Sequence, residues 1–186
     1  MKKDAPIYLC GFMGCGKTTV GLVLAKKTGK QYLDLDDYIE KKEGMKIPEI
    51  FEKKGESYFR KLETKALKEL GNINAVVATG GGALLSDVNS ETAKNAGVVA
   101  FIDVPFDVCY ERIKDDENRP VAFNSTKEQL QERFDYRRPL YLKNSHFSRG
   151  SAFFSHLLIS SENLFWKFTI NHLLEYVDDI KYKAIF

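Results

Sequence analysis

Apolar residues fall into two patterns along this chain. Short, mainly apolar runs are typical of strands buried on both faces of a parallel sheet, whereas apolar residues three or four positions apart are typical of amphipathic helices. The runs that predict strands are residues 7–10, 31–35, 74–79 and 98–104. Because helical segments separate these runs, they predict an α/β fold with three α/β/α layers around a central, five-stranded parallel sheet.

Glycines and a proline mark the ends of the predicted helices. Gly29 stops the first helix, residues 17–28, and Gly44 breaks the second. Pro48 suits the first position of the third helix, which stops at Gly55. The strongest amphipathic segment follows, because its apolar residues recur at helical spacing on one face. That face consists of Phe59, Leu62, Ala66, Leu67 and Leu70.

The second half of the chain adds a lid, a strand and two helices to this prediction. Residues 115–126 are polar and predict a mobile lid, after which a helix is expected to end at Pro139. Residues 151–160 predict the fifth strand, and a closing helix is expected around Trp166. Residues 1–186 are short enough, and uniform enough in composition, to predict a single domain.

Composition narrows the classes of function. With 28 basic and 26 acidic residues the net charge is +2, so bulk electrostatics gives no reason to expect a nucleic acid or a membrane as partner. The 3 cysteines lack C-x-x-C spacing, which predicts neither a disulfide framework nor a zinc site and suits a reducing compartment. Because the first apolar run is too short for a signal peptide, we expect a cytoplasmic protein, and we expect a monomer.

The most specific chemical pattern lies between the first strand and the first helix. Gly11, Gly16, Lys17 and Thr18 match G-x-x-x-x-G-K-[ST], the loop that binds nucleotide phosphates. In such loops, backbone N–H groups at a helix N-terminus face the phosphates, the lysine contacts the outer phosphates, and the hydroxyl binds Mg²⁺. The predicted nucleotide contacts are Gly14, Cys15, Gly16, Lys17, Thr18 and Thr19.

Aspartates cluster at the end of the second predicted strand. Alternate residues of a strand project to the same side, so Asp34 and Asp36 are expected to face one way. One carboxylate could hold the hydration shell of Mg²⁺, and the other could deprotonate an attacking hydroxyl. Asp37 is expected to cap the following helix. Because aspartates end many strands, an ordinary structural role stays open for all three.

The glycines at positions 80–82 follow the third predicted strand. They could expose backbone N–H groups to a ligand that approaches closely, or form a flexible turn. This strand end lacks the aspartate that holds the metal in the commonest ATPases and GTPases, so a motor or a switch is less expected.

Arginines supply the candidate cationic groups. Arg60 lies at pairing distance from Glu56 and Glu63 on the amphipathic helix, which predicts either a structural salt bridge or an arginine held ready for a carboxylate. Arg119, in the predicted lid, could close over the phosphates and neutralise developing charge. Arg137, next to Arg138, offers a further cation before the proline.

Taken in order, these motifs resemble those of the shikimate kinase family, a member of the nucleoside-monophosphate-kinase-like P-loop group. The motifs, which span residues 7–142, are GFMGCGKTTVG, LDLDDYIE, IPEIFEKKGESYFRKLE, TGGGA, NRP and RRPLY. The resemblance implies ATP and shikimate as substrates and Mg²⁺ as cofactor. The implied reaction carries the ATP γ-phosphoryl group to the shikimate 3-hydroxyl, in the route to aromatic amino acids.

The resemblance also implies a role for individual residues. Asp34 resembles the residue near Mg²⁺, and Lys17, Asp36 and Arg119 resemble the catalytic residues, with Asp36 as the candidate base and Arg119 also an ATP ligand. Within the implied substrate-binding segment, residues 34–62, Phe51 and Phe59 resemble aromatics that line the substrate ring, although core packing fits them equally well. The residues implied to bind shikimate are Asp36, Arg60, Gly81, Gly82 and Arg137.

The C-terminal segment, residues 143–186, departs from the family by being longer and more aromatic. No adenine contact is therefore assigned there. Two alternatives stay open: a kinase of another hydroxylated acid such as gluconate, and a catalytically inactive nucleotide-binding module. The intact Lys17, Asp36 and Arg60 favour an active kinase over the inactive module.

Overall fold

A parallel sheet forms the centre of the molecule. The computed structural model describes residues 4–116, 120–148 and 175. Its strands run in the order β2-β3-β1-β4-β5 across the sheet, and every neighbouring pair is parallel. The strands are β1 (Ile7–Cys10), β2 (Gln31–Asp34), β3 (Ala75–Ala78), β4 (Val98–Phe101) and β5 (Phe147–Ser148). The predicted α/β fold with a five-stranded parallel sheet is confirmed.

Helices connect and cover these strands. The helices are α1 (Lys17–Thr28), α2 (Leu35–Glu43), α3 (Ile47–Glu69), α4 (Asp87–Ala96), α5 (Phe106–Glu111), α6 (Pro120–Phe123) and α7 (Lys127–Lys143). Helix α1 packs on β2 and β3, α4 packs on β4 and α3, and α7 packs on α5 and on the 3₁₀ turn Ala83–Leu85. Every residue of β1, β3 and β4 is buried, as the mainly apolar runs predict.

Helix α3 is divided at the glycine that was expected to stop a helix. Gly55 has φ 79° and ψ 167°, which interrupts the helical backbone between its neighbours. The second part buries Phe59, Ala66 and Leu67 as the amphipathic pattern predicts. It also buries the carboxylate side chain of Glu63, which is 1% exposed and therefore needs a partner.

The predictions that Asp36 continues the strand and that Asp37 caps the following helix are wrong. Strand β2 ends at Asp34, and Leu35 already belongs to the helix, so Asp36 does not continue the strand. The cap is Asp34 rather than Asp37, because the Asp34 carboxylate accepts hydrogen bonds from the backbone N–H groups of Asp36 and Asp37. The short distance from strand to helix leaves no room for a later cap.

The prediction that α7 ends at Pro139 is wrong. The helix continues to Lys143 with Pro139 inside it. Pro139 is exposed, and so is Asp135 one turn earlier, whose carbonyl loses its helical N–H partner. The missing hydrogen bond therefore faces solvent, which can replace it.

Several expected features fall outside the described residues. Arg119, the expected strand over residues 151–160 and the expected helix around Trp166 belong to this group. The strand β5 at Phe147–Ser148 precedes the segment that was expected to supply the fifth strand.

Candidate active site

The phosphate loop follows β1 and is pressed against backbone atoms. Gly11, Gly14 and Gly16 have φ values of 147°, 77° and 89°, in the region that favours glycine. A Cβ at Gly14 would lie 2.6 Å from the carbonyl oxygen of Cys109, which leaves no space for a side chain. The loop therefore needs glycine for its backbone conformation and for this close approach.

Lys17 and Cys15 hold the same loop from within. The Lys17 ammonium donates to the carbonyl oxygens of Gly11, at 2.9 Å, and Phe12, at 3.1 Å. The Cys15 side chain is 1% exposed, and its Sγ lies 3.7 Å from the Lys17 nitrogen. Cys15 is thus a buried part of the loop framework rather than an exposed thiol.

A cleft of about 620 Å³ opens where β1, β2 and β3 end. Ligands of parallel α/β sheets bind at this edge. The predicted site residues in its wall are Gly14, Gly16, Lys17, Thr18, Thr19, Asp34, Asp36 and Gly81. The fold therefore brings the phosphate loop, the two aspartates and the glycines after β3 to one cleft, although the chain separates them by tens of residues.

Asp36 is the most perturbed carboxyl group in this cleft. Its Oδ1 atom is buried and has no hydrogen-bond partner among the described residues. Burial, together with repulsion from Asp34 and Glu63, raises the pKa of Asp36 to about 7. Burial also raises the pKa of Asp34, although its hydrogen bonds from the start of α2 oppose that shift. A carboxyl group with a pKa near neutrality can accept a proton from a hydroxyl group at physiological pH.

Each glycine of the turn Gly80–Gly82 adjoins one of the predicted charged residues. A Cβ at Gly80 would lie 2.7 Å from Asp36 Oδ1, and a Cβ at Gly82 would lie 2.7 Å from Arg60 Nη1. Between them, the Gly81 carbonyl oxygen accepts a hydrogen bond of 3.3 Å from Arg137 Nη1. The missing side chains of Gly80 and Gly82 make room for Asp36 and Arg60, and Arg137 contacts the backbone carbonyl of Gly81, so charged groups from three different helices adjoin this turn.

The Arg60 guanidinium is held by carboxylates on its own helix. It donates to Glu56 Oε1 from Nε at 3.1 Å and from Nη2 at 2.7 Å, and to Glu63 Oε2 from Nη1 at 2.9 Å. Glu63 is the buried carboxylate of the apolar face, so the pair satisfies its charge and directs the guanidinium towards Gly82. Arg60 therefore has both predicted features: it forms salt bridges on its own helix, and its guanidinium lies next to the glycine turn.

Similarity to known proteins identifies the family. The family model described as "Shikimate kinase" matches residues 13–156. The chain belongs to the shikimate kinase family. A "Shikimate kinase" of Persephonella marina is 46% identical over 136 residues, which is 73% of this chain and 82% of that protein. One of Aquifex aeolicus is 44% identical over 138 residues, which is 74% of this chain and 82% of that protein.

Solved structures support the same family. The "Shikimate kinase from Acinetobacter baumannii in complex with shikimate" superposes with a TM-score of 0.79 at 36% identity, covering 95% of this chain and 94% of that one. A gluconokinase from Sinorhizobium meliloti has a TM-score of 0.57 at only 12% identity, covering 99% of each chain, and shares the fold alone. As a member of the shikimate kinase family, the chain is a phosphotransferase with ATP as co-substrate, and the gluconate alternative is not favoured.

Sequence reasoning missed two contacts of α7. The Arg138 guanidinium forms a bidentate ion pair with Asp103 (2.9 and 2.7 Å), whose side chain is 2% exposed. The Tyr141 hydroxyl donates to the Gly81 carbonyl oxygen. Asp103 lies near the end of the apolar run 98–104, two residues after β4, so its position at a strand end was a usable signal, whereas no sequence pattern pairs Tyr141 with Gly81.

Two further cleft residues were also missed. Arg112 donates to the Gly14 carbonyl oxygen at 3.1 Å, and both Arg112 and Asp116 lie in the cleft wall. Neither belongs to a motif that identifies a phosphate site. In the described part of the chain, no group of three or more His, Cys, Asp or Glu side chains could hold a metal ion. No helix there is both long and apolar enough to span a bilayer.

Proposed function

We propose that the glycine turn and the phosphate loop together form a two-substrate site, in which the ATP γ-phosphoryl group passes to the 3-hydroxyl of shikimate. The observation that carries this proposal is that Asp36, Arg137 and Arg60 each adjoin one glycine of the turn Gly80–Gly82, which borders the cleft. Shikimate is a small carboxylate with several hydroxyl groups, so its site needs cationic groups at one end and a hydrogen-bond acceptor at the other. The products are shikimate 3-phosphate and ADP.

The arginines suit the carboxylate end of the acceptor. Arg60 and Arg137 approach the glycine turn from α3 and α7, so a carboxylate between them would receive donors from both helices. Glu63 restricts the Arg60 rotamer, which lowers the entropy lost when a substrate binds. The backbone N–H groups of Gly81 and Gly82 are our proposed further donors to shikimate.

Asp36 suits the hydroxyl end. Its Oδ1, which has no partner among the residues that the structure describes, can accept a hydrogen bond from the reacting hydroxyl group, and its pKa of about 7 allows it to take that proton. Phosphoryl transfer depends mainly on positioning and on charge stabilisation, so orienting the hydroxyl is the first contribution of Asp36.

The phosphate loop suits the donor end. Thr18 and Asp34 both line the cleft and offer oxygen atoms, the ligand type that Mg²⁺ prefers, so we propose that they hold the ion, Asp34 through water. When bound, Mg²⁺ neutralises charge on the transferred phosphate. Lys17 contacts the outer phosphates, and the proposed lid arginine is Arg119, which lies outside the described residues.

The protein is proposed to act in the cytoplasm as a monomer, with ATP and shikimate as its partners. The 3 cysteines without disulfide spacing suit a reducing compartment, and a net charge of +2 gives no reason to expect a nucleic acid or a membrane as a further partner.

Coupling ADP release to NADH oxidation tests the proposed function. With Mg²⁺·ATP, we expect turnover with shikimate and at least about a hundredfold lower kcat/KM with gluconate, because the acceptor contacts are matched to one acid. Phosphorus NMR of the product should show a single phosphate ester on the ring. Faster turnover with gluconate, or nucleotide binding without transfer to either acid, would overturn the proposal.

A further inference from the structure

Helix α7 reaches the glycine turn from one side with a tyrosine whose role has not been assigned. The Tyr141 side chain is 2% exposed, and its hydroxyl donates to the carbonyl oxygen of Gly81. Arg137, one helical turn earlier, donates to the same oxygen at 3.3 Å. A single backbone carbonyl of the acceptor site therefore receives donors from two side chains of one helix.

The position of this carbonyl determines where the next N–H group points. The Gly81 carbonyl and the Gly82 N–H belong to one planar trans peptide unit, in which they point in opposite directions. Glycines on both sides of this unit leave its orientation weakly restricted by the local backbone. Fixing the oxygen towards α7 therefore directs the Gly82 N–H away from α7. The Arg60 guanidinium adjoins the same residue, since a Cβ at Gly82 would lie 2.7 Å from its Nη1.

Tyr141 is itself held in place on several sides. Its ring packs against the Phe101 ring of β4, with centroids 5.2 Å apart. The Arg138–Asp103 ion pair anchors α7 to the segment after β4, and the Asn144 side chain donates to the Leu84 carbonyl oxygen at 2.9 Å. Burial raises the pKa of Tyr141, so the hydroxyl stays protonated and remains a donor.

We propose that Tyr141 is a positioning residue for the acceptor: by holding the Gly81 carbonyl oxygen, it aims the Gly82 N–H at the acid substrate. This inference rests on the proposed function of the glycine turn. Tyr141 does not touch the substrate in this account. It acts through the peptide unit, and Arg137 keeps part of the restraint when the hydroxyl is lost.

Tyr141→Phe removes the donor and keeps the buried ring. We expect the KM for shikimate to rise about three- to tenfold, the loss typical of one neutral hydrogen bond, while the KM for ATP stays within about twofold. Tyr8→Phe is the matched control, because Tyr8 is also fully buried and its hydroxyl has no hydrogen-bond partner among the described residues. Tyr8→Phe should leave both KM values unchanged.

Two kinetic outcomes would overturn the positioning role. One is a KM for shikimate in Tyr141→Phe equal to that of Tyr8→Phe. The other is an equal rise of both KM values, which indicates a general loss of structure. A parallel melting curve for each variant shows whether the two substitutions differ in stability alone.

Amide exchange of Gly82 tests the inference separately from the proposed function. In ¹⁵N-glycine-labelled protein without substrates, Tyr141→Phe should shift the Gly82 amide resonance and speed its exchange with solvent, and Tyr8→Phe should do neither. An unaffected Gly82 amide would contradict the positioning role even if shikimate is turned over. A wild-type protein that does not phosphorylate shikimate would contradict the proposed function and leave the NMR result to decide whether Tyr141 fixes the peptide.

Discussion

Two glycine-rich turns stand side by side in this molecule, at the ends of β1 and β3, and they use glycine for different physical reasons. In the phosphate loop, Gly11, Gly14 and Gly16 adopt positive φ, which other residues rarely adopt. In the turn Gly80–Gly82 no φ is positive; there the absent side chains of Gly80 and Gly82 leave space for charged groups from α2 and α3, while Arg137 of α7 donates to the Gly81 carbonyl oxygen. The phosphate loop therefore needs glycine for its backbone conformation, whereas the turn Gly80–Gly82 needs glycine for the space that a side chain would occupy.

This difference separates the general part of the site from the specific part. A loop that binds phosphate through its own backbone can serve many nucleotide-dependent reactions. We propose that a turn adjoined by Asp36, Arg60 and Arg137 recognises one arrangement of carboxylate and hydroxyl groups. Substitutions in the first region should therefore affect transfer to any acceptor, and those in the second should affect the choice and binding of the acceptor.

The largest effect is expected from Lys17→Ala. Removing the ammonium group from the phosphate loop should lower kcat by about a thousandfold or more, because charge on the transferred phosphate loses its stabilisation. Shikimate binding, measured by calorimetry without nucleotide, should stay within about twofold of the wild type because the glycine turn is intact. Lys26→Ala, in the last turn of the same helix, is the control and should keep full activity. Weakened shikimate binding in Lys17→Ala would break the separation of the two regions.

A smaller effect is expected from Gly82→Ala. The new methyl group would lie 2.7 Å from Arg60 Nη1, so the guanidinium must move, and the KM for shikimate should rise about tenfold with little change in the KM for ATP. Gly81→Ala is the matched variant, since its methyl group meets Arg137 Nη1 at 3.6 Å, an ordinary contact. Its effect should be under about threefold. Equal effects of the two substitutions would contradict the account of this turn as a space for side chains.

The smallest effect concerns stability rather than turnover. Folding raises the pKa of Asp36 from 3.8 to about 7, so the folded state binds this proton more tightly, and stability contributed by the neutral carboxyl is lost as pH rises through that window. Asp36→Asn should therefore raise the melting temperature at pH 8 by several degrees, since 1 kcal/mol corresponds to about 2–4 °C in a chain of this length, and it should have little effect near pH 4. Exposed Asp37→Asn is the control. A lower melting temperature for Asp36→Asn at pH 8 would show that the buried carboxylate is stabilising.

The two turns also differ in how far the sequence predicts them. The phosphate loop is contiguous, so its pattern between a strand and a helix predicted its position and backbone. The partners of the glycine turn are far apart in the chain: local patterns made Asp36, Arg60 and Arg137 candidates, and only the ordered set of motifs gave them a shared substrate. Asp34 rather than the predicted Asp37 caps α2, because the strand and the helix meet without a linker. Contacts such as Tyr141 with Gly81 depend on long-range packing, for which a single sequence carries no local signal.

The central claim is that Arg60, next to the glycine turn, recognises the acceptor by binding the acceptor's carboxylate. The most direct test compares kcat/KM for shikimate and for its methyl ester, which keeps every hydroxyl group and loses the charge, in the wild type and in Arg60→Ala. The wild type should prefer shikimate by about a hundredfold, the range expected for a charge-assisted contact, and Arg60→Ala should remove most of that preference. If Arg60→Ala lowers both values by the same factor and keeps the preference, the carboxylate is recognised elsewhere and the account of this turn is wrong.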